Sequence, residues 1–206
     1  MYNKGNDVYL SKTLTWILRH GAHKEGFTIS SDGYVPVSQI LAYKQLKGKF
    51  NVNDIIKVVE NNNKQRFTLI KSDSGELKIK ANQGHSIGVV KELDLTPITD
   101  CCGVENVIHG TYLRNWDKIK REGLSRMTRE HIHFTESIDK NKCISGVRGN
   151  VEILIYIDLK KALDSGFKFY LSPNKVILSP GDINGLISSE FFFKVVNIIE
   201  NINLSY

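Results

Sequence analysis

Three short stretches of this 206-residue chain collect side chains that could contact a ligand. They are Leu18-Arg19-His20, then Ile79-Lys80-Ala81-Asn82-Gln83-Gly84-His85-Ser86, then His109-Gly110-Thr111. Each sets cations, imidazoles or small hydroxyl residues at the end of a short apolar run, where side chains project from a scaffold. Arginine grips an anion with a planar fork of two parallel hydrogen bonds, whereas lysine acts as a point charge. Two further stretches carry candidates: Arg126-Met127-Thr128-Arg129-Glu130-His131-Ile132-His133-Phe134 and Ser145-Gly146-Val147-Arg148. In a strand, His131 and His133 share one face, with Ile132 and Phe134 on the other. Such spacing also suits a metal, with Cys101, Cys102 or Cys143 as soft partners. No second regularly spaced ligand pair accompanies it, so no metal is expected. His85-Ser86 has no acidic third member in view, which favours phosphate contact or cleft support over a serine triad.

The elements that position these residues differ between the two halves. Leu10, Leu14, Ile17 and Leu18 repeat at helical spacing, with Ser11 as a plausible N-cap and Gly21 as a stop. Arg19 and His20 then fall in the last turn, where the helix dipole alone would favour a cation. Pro36 opens a short helix through Val37, Ile40 and Leu41. Asn53 is positioned to cap a third helix carrying Ile55, Ile56 and Val59. Phe67–Ile70 and Leu77–Lys80 flank the turn-rich Ser72-Asp73-Ser74-Gly75, the pattern of a hairpin. Leu77 and Ile79 take one face of that strand and Lys78 and Lys80 the other. With the apolar pair inward, Lys80 is expected to point outward, toward solvent or a ligand. Three helices and a two-stranded wing make a winged-helix pattern, commonly a reader of nucleic acid.

Beyond Pro97 the pattern changes to short β-like runs: His131–Phe134, Val151–Asp158, Phe167–Leu171, Val176–Leu178 and Phe191–Ile199. A helix bearing Leu113, Trp116 and Ile119 ends at Gly123, and Leu159–Ser165 supplies another. The class implied is α+β. His109-Gly110-Thr111 ends one strand and precedes a helix, a place suited to a dinucleotide: glycine lets the backbone approach, and histidine and threonine reach ribose hydroxyls. No G-x-G-x-x-G is present, which argues against a Rossmann domain.

The positive charge is lopsided. Residues 1–91 carry 14 Lys+Arg against 7 Asp+Glu, and residues 92–206 carry 14 against 15. The basic half could neutralise nucleic-acid phosphates, or simply be a solvated face. Three cysteines, two of them vicinal, form no disulfide framework and fit a reducing cytoplasm. The polar N-terminus and the lack of a run of about 18 apolar residues predict neither export nor membrane insertion.

Taken in order, these motifs resemble the tRNA 2'-phosphotransferase family, over about Leu10 to Phe193. The resemblance implies a winged-helix RNA-binding lobe over residues 1–91, a linker at 92–102 and an ADP-ribosyltransferase-like NAD-binding lobe over 103–206. It implies a monomeric enzyme that transfers an internal RNA 2'-phosphate to NAD, with NAD as co-substrate and no metal. Arg19, His20, Lys80 and Arg148 would face the substrate phosphate in one cleft, supported by His85 and Ser86. NAD would be held by His109, Gly110, Thr111, Arg126, His131, His133 and Ser145. The family has arginine where this chain has Lys80, and no residue corresponds clearly to the catalytic glutamate of ADP-ribosyltransferases. Two alternatives stay open: an ADP-ribosyltransferase acting on nucleic-acid phosphate ends, and a winged-helix RNA-binding protein without catalysis.

Overall fold

Leu10, Leu14, Ile17 and Leu18 are fully buried, the consequence of their helical spacing. The structure is a computed structural model describing residues 4–138 and 150–206. It divides into two units, Met1–Asp94 and Leu95–Tyr206. In the first, α1 spans Lys4–Trp16 and continues as a single π-helical turn, Ile17–Gly21. Ser11 therefore lies inside the helix and is not its cap. Nor does Gly21 stop it: Ala22 keeps right-handed helical angles, and its amide donates to the Ile17 carbonyl. Packing requires glycine there, because a Cβ would come within 2.5 Å of the Trp16 ring.

The short helix α2, Val37–Ala42, opens behind Pro36 as the sequence predicts. Helix α3, Val52–Glu60, is capped by Asn51 rather than by Asn53. The Asn51 side chain accepts from the amides of Asn53 (2.9 Å) and Asp54 (3.3 Å), and Asp54 accepts in return from the Asn51 amide (2.9 Å). That reciprocal pair satisfies otherwise orphaned donors at the helix start, so geometry selects the earlier of two cap-forming asparagines. The hairpin forms as expected, β2 being Phe67–Lys71 and β3 Leu77–Ala81 in antiparallel register from Phe67↔Ala81 to Lys71↔Leu77. A third strand, β1 (Val35–Pro36), pairs with the other edge of β3. The sheet is thus three-stranded with β3 central, and not a two-stranded wing.

Among the described residues, the second unit is built on two four-stranded antiparallel sheets. One runs β4 (Thr96–Ile98), β9 (Phe169–Leu171), β10 (Ile177–Ser179) and β7 (Ile132–Phe134). The other runs β13 (Ile202–Asn203), β12 (Phe192–Asn197), β8 (Ile153–Ile157) and β5 (Ile108–Thr111). Backbone bonds between Ile108 and Thr135, 2.9 Å in both directions, stitch β5 to the end of β7. The apolar run of β8 follows from its central place, with most of its residues buried. Helices α4 (Leu113–Glu122) and α5 (Leu159–Asp164) complete an α+β chain. Among the described residues no helix is long and apolar enough to cross a membrane.

Gly123 ends α4 at φ 86°, and a Cβ there would lie 2.4 Å from the Ile187 carbonyl oxygen. It opens a two-stranded ribbon in which β6 (Leu124–Ser125) pairs with β11 (Leu186–Ile187). Removing the α3 cap by Asn51→Ala should cost about 1 kcal/mol. Gly123→Ala should cost more, since it combines a left-handed backbone with a steric clash. Urea denaturation of both variants checks this ranking, which fails if Gly123→Ala proves the milder.

Candidate active site

A π-helical turn widens the helix by one residue, and such turns recur at functional positions. Here the turn carries Arg19 and His20, both half-buried. Strand β3 runs toward it and continues as Asn82-Gln83-Gly84-His85-Ser86. Asn82 locks the strand end: its side chain donates to the Gln65 carbonyl (2.7 Å) and accepts from the Thr68 hydroxyl (2.6 Å). The chain then reverses through Gly84, at φ 85°, where a Cβ would sit 3.2 Å from an Arg19 guanidinium nitrogen. Glycine is needed here for its backbone angle and for the close approach of the guanidinium. Ser86 ties the segment back onto the turn. Its amide donates to the Arg19 carbonyl (2.9 Å), and its hydroxyl shares a 2.9 Å hydrogen bond with His20 Nδ1. His85 is buried beneath, with Gly33 against its ring.

Lys80 does not reach solvent, one of the two destinations that strand alternation left open. It is 3% exposed. Its ammonium lies 2.7 Å from Asp94 Oδ2 and 4.5 Å from the centroid of the Tyr34 ring. The physical reason is the extra strand: β1 pairs with β3 and brings the preceding Tyr34 over the face that alternation assigns to solvent. Alternation sorts side chains onto faces but does not say which faces are covered. Tyr34, Asn82, Gln83 and Asp94 join the site without having been singled out as functional residues. Gln83 is 3% exposed, and its Oε1 has no hydrogen-bond partner among the described residues. Asn82 and Gln83 are legible in the motif itself, but Asp94 carries no local signal.

In the second unit, His109 from β5 reaches the neighbouring strand, its Nδ1 being 3.0 Å from the His133 carbonyl, with Phe134 edge-on to its ring. Burial pushes the His109 imidazole below the ordinary histidine range; the His133 bond opposes this, and Arg129 adds to it. His131, just ahead of β7, is pushed down to about 4 by burial and then by Arg126. Both imidazoles are therefore neutral near pH 7 and act through hydrogen bonds, leaving Arg126 and Arg129 to supply positive charge. Arg126 is braced by its bond to the Arg129 carbonyl (3.0 Å) and lies against Gly185, where even a Cβ would clash with it. Thr111 is buried, and its hydroxyl accepts from the Asn115 amide at 3.3 Å. The structure thus brings together His109, His133 and Phe134, and Arg126 beside His131. Ser145, Arg148 and Cys143 lie outside the described residues.

Among the described residues, no group of three or more His, Cys, Asp or Glu side chains is placed to hold a metal. Cys101 and Cys102 are free and exposed, and the Asp100 carboxylate pushes the Cys102 thiol up. Cys101 borders a separate groove of about 250 Å³ with Val104, Asp158 and Phe193, and none of the candidate residues lines it.

An α+β chain with Arg19, His20 and the Gly84–Ser86 segment brought together in one unit, and neutral histidines beside arginines in the other, has side chains suited to handling anions. The chain belongs to the RNA 2'-phosphotransferase, Tpt1 / KptA family, whose model matches residues 5–181. It is similar to tRNA 2'-phosphotransferase 1 of Danio rerio, 42% identical over 193 residues that cover 92% of this chain and 85% of the relative. The tRNA 2'-phosphotransferase of Saccharomyces cerevisiae is 40% identical over 180 residues, covering 84% and 78%. A probable RNA 2'-phosphotransferase of Rhizobium leguminosarum bv. trifolii is 34% identical over 175 residues, covering 84% and 89%. These spans reach across both units, so the likeness is not confined to one motif.

The folded-state pKa of His131 lies below its ordinary 6.5, so between those values the native protein binds fewer protons than the unfolded chain. Its contribution to stability is present above pH 6.5 and is lost as pH falls toward about 4. NMR titration should show a neutral His131 ring at about pH 5.5. His131→Gln should flatten the acid limb of the stability curve. An unshifted His131 midpoint would contradict the burial argument.

Proposed function

We propose that this protein removes an internal 2'-phosphate from RNA by transferring it to NAD. The observation that carries the reading is the convergence of Arg19, His20 and the Gly84–Ser86 segment, joined by the Ser86 bonds to Arg19 and His20. Family membership supplies the reaction class, and the fold supports the division of labour. Three α-helices with a small antiparallel sheet suit a winged-helix lobe that meets RNA. Two antiparallel sheets stitched at Ile108–Thr135 suit an ADP-ribosyltransferase-like lobe for NAD.

In the proposed sequence the RNA 2'-phosphate attacks the anomeric carbon of the nicotinamide ribose, and nicotinamide departs with the bonding electrons. The ribose 2''-hydroxyl then attacks phosphorus. RNA leaves with a free 2'-hydroxyl, and ADP-ribose 1'',2''-cyclic phosphate is released. The first nucleophile is already an anion, so the first step needs no general base.

The demand on the protein is mainly electrostatic. One cation about 4 Å from the phosphate contributes on the order of 4 kcal/mol at an effective dielectric near 20. Only the part that grows toward the transition state accelerates reaction. Arg19 and Lys80 supply such charge, and Arg148 keeps the phosphate-contacting role that the family likeness gives it. His20, aimed by Ser86, orients the phosphate or donates a proton to the departing RNA oxygen. His109 offers a neutral hydrogen-bonding edge to the dinucleotide, with His133 beside it, and Arg126 offers its charge to the diphosphate.

The direct test is to incubate the protein with NAD and an RNA carrying one internal 2'-phosphate, then identify both products. Cyclic phosphate together with 2'-hydroxyl RNA is the expected outcome. A stable ADP-ribosylated RNA would mean that only the first step occurs, and RNA binding without NAD consumption would rule out catalysis. Arg19→Ala should lower turnover by about 10² to 10³, the range for losing one preorganised charge donor. Ser86→Ala should cost only about tenfold, the equivalent of a single neutral hydrogen bond. Single-turnover kinetics would show whether the two variants rank this way.

A further inference from the structure

Lys80 is nearly buried, and its ammonium already has a carboxylate partner. On one side lies the Tyr34 ring, 4.5 Å from its centroid, and Asp94 Oδ2 stands at 2.7 Å. The two neighbours are held very differently. Tyr34 is fixed between β1 and a tight turn, in which the Ser30 amide donates to the Tyr34 carbonyl (3.0 Å) and the Gly33 amide to the Ser30 carbonyl (2.9 Å). Asp94 lies in an irregular segment that follows a strap. The amides of Lys91 and Glu92 both donate to the Ser31 carbonyl (2.9 and 3.0 Å), and the Glu92 carboxylate accepts from the Ser31 hydroxyl (2.6 Å).

Exposure is equally lopsided: the Lys80 side chain is 3% exposed and that of Asp94 is 71% exposed. A buried ammonium needs an anionic partner at all times, because losing one leaves an uncompensated charge out of water. A largely exposed carboxylate returns to water at little cost. Asp94 is therefore the exchangeable member of the pair, and any anion that takes its place keeps Lys80 neutralised.

We propose that Asp94 is the resting counter-ion of Lys80, a positioning residue that holds the ammonium against Tyr34 until the RNA 2'-phosphate displaces its carboxylate. This rests on the reading of Lys80 as a phosphate contact. A 2'-phosphate is a monoester with close to two negative charges near neutral pH, whereas Asp94 offers one. The exchange thus runs toward the substrate while the site is never left with a bare cation. It also explains how lysine serves at this position. A point charge needs no planar partner to be presented correctly, so one carboxylate oxygen and one aromatic face suffice to aim it.

The test is equilibrium binding, by fluorescence anisotropy, of a short RNA with one internal 2'-phosphate, against the same RNA with a 2'-hydroxyl. Asp94→Asn removes the competitor and should tighten binding of the phosphorylated RNA by about fivefold, the upper range for an ion pair with one exposed member. KM should fall by the same factor, while the 2'-hydroxyl RNA binds unchanged. Asp94→Glu, which retains the charge, should restore wild-type affinity. In a Lys80→Met background the effect of Asp94→Asn should vanish, and that double variant buries no unpaired charge, so folding does not confound it. Equal affinity in Asp94→Asn and wild type, with Lys80→Met impaired, overturns the counter-ion role alone. Tightening that persists in the Lys80→Met background overturns it as well. Wild-type binding and turnover in Lys80→Met would remove Lys80 from the phosphate site, and the proposal with it.

Discussion

Two bonds from Ser86 hold the first unit's candidate site in register, one from its amide to the Arg19 carbonyl and one between its hydroxyl and His20 Nδ1. They matter because Arg19 and His20 are far in sequence from the Gly84–Ser86 segment, and a phosphate site needs these groups placed to within fractions of an ångström. A π-helical turn alone would leave two long polar side chains free among several rotamers. The fold-back removes that freedom. Gly84 closes on the guanidinium, Ser86 selects the imidazole orientation, and Asn82 fixes the strand from which the segment departs. Preorganisation of this kind lowers the reorganisation required when an anion arrives.

Under the proposed function, the second unit meets a different problem, that of holding NAD. A dinucleotide presents ribose hydroxyls and a diphosphate, calling for neutral hydrogen-bonding edges beside fixed positive charge. Burial keeps His109 and His131 neutral, and Arg126 and Arg129 reinforce that state by repelling a proton. The same arginines are then the cations of the patch. Neutral histidines and charged arginines are thus consequences of one arrangement, in which a half-buried imidazole beside a guanidinium gives up its charge first.

A lysine read as a phosphate contact raises the question of how a monodentate cation is presented. The three-stranded sheet answers part of it by burying the alkyl stem and placing an aromatic face beside the ammonium. Burial removes the many rotamers that an exposed lysine would sample, and an aromatic face attracts the cation without competing as an anion. The price is a charge that always needs a partner.

Residue pattern by itself determined the helical spacing of Leu10–Leu18, the hairpin around Ser72–Gly75, the helix behind Pro36, the stop at Gly123 and the α+β class. These depend on side-chain period and on turn chemistry, both local. Family membership was legible as well, because it rests on residue types at short spacings. The tertiary structure alone decided that Asn51 and not Asn53 caps α3, since a capping box depends on which amides stay unpaired. It also converted the expected end of the first helix into a π turn with Trp16 lying on Gly21. Above all it buried Lys80 and gave it Asp94. Period-two alternation assigns a residue to a face, but whether that face meets solvent depends on a strand contributed from elsewhere in the chain. A counter-ion beyond the end of the strand leaves no imprint on the local pattern that would identify it.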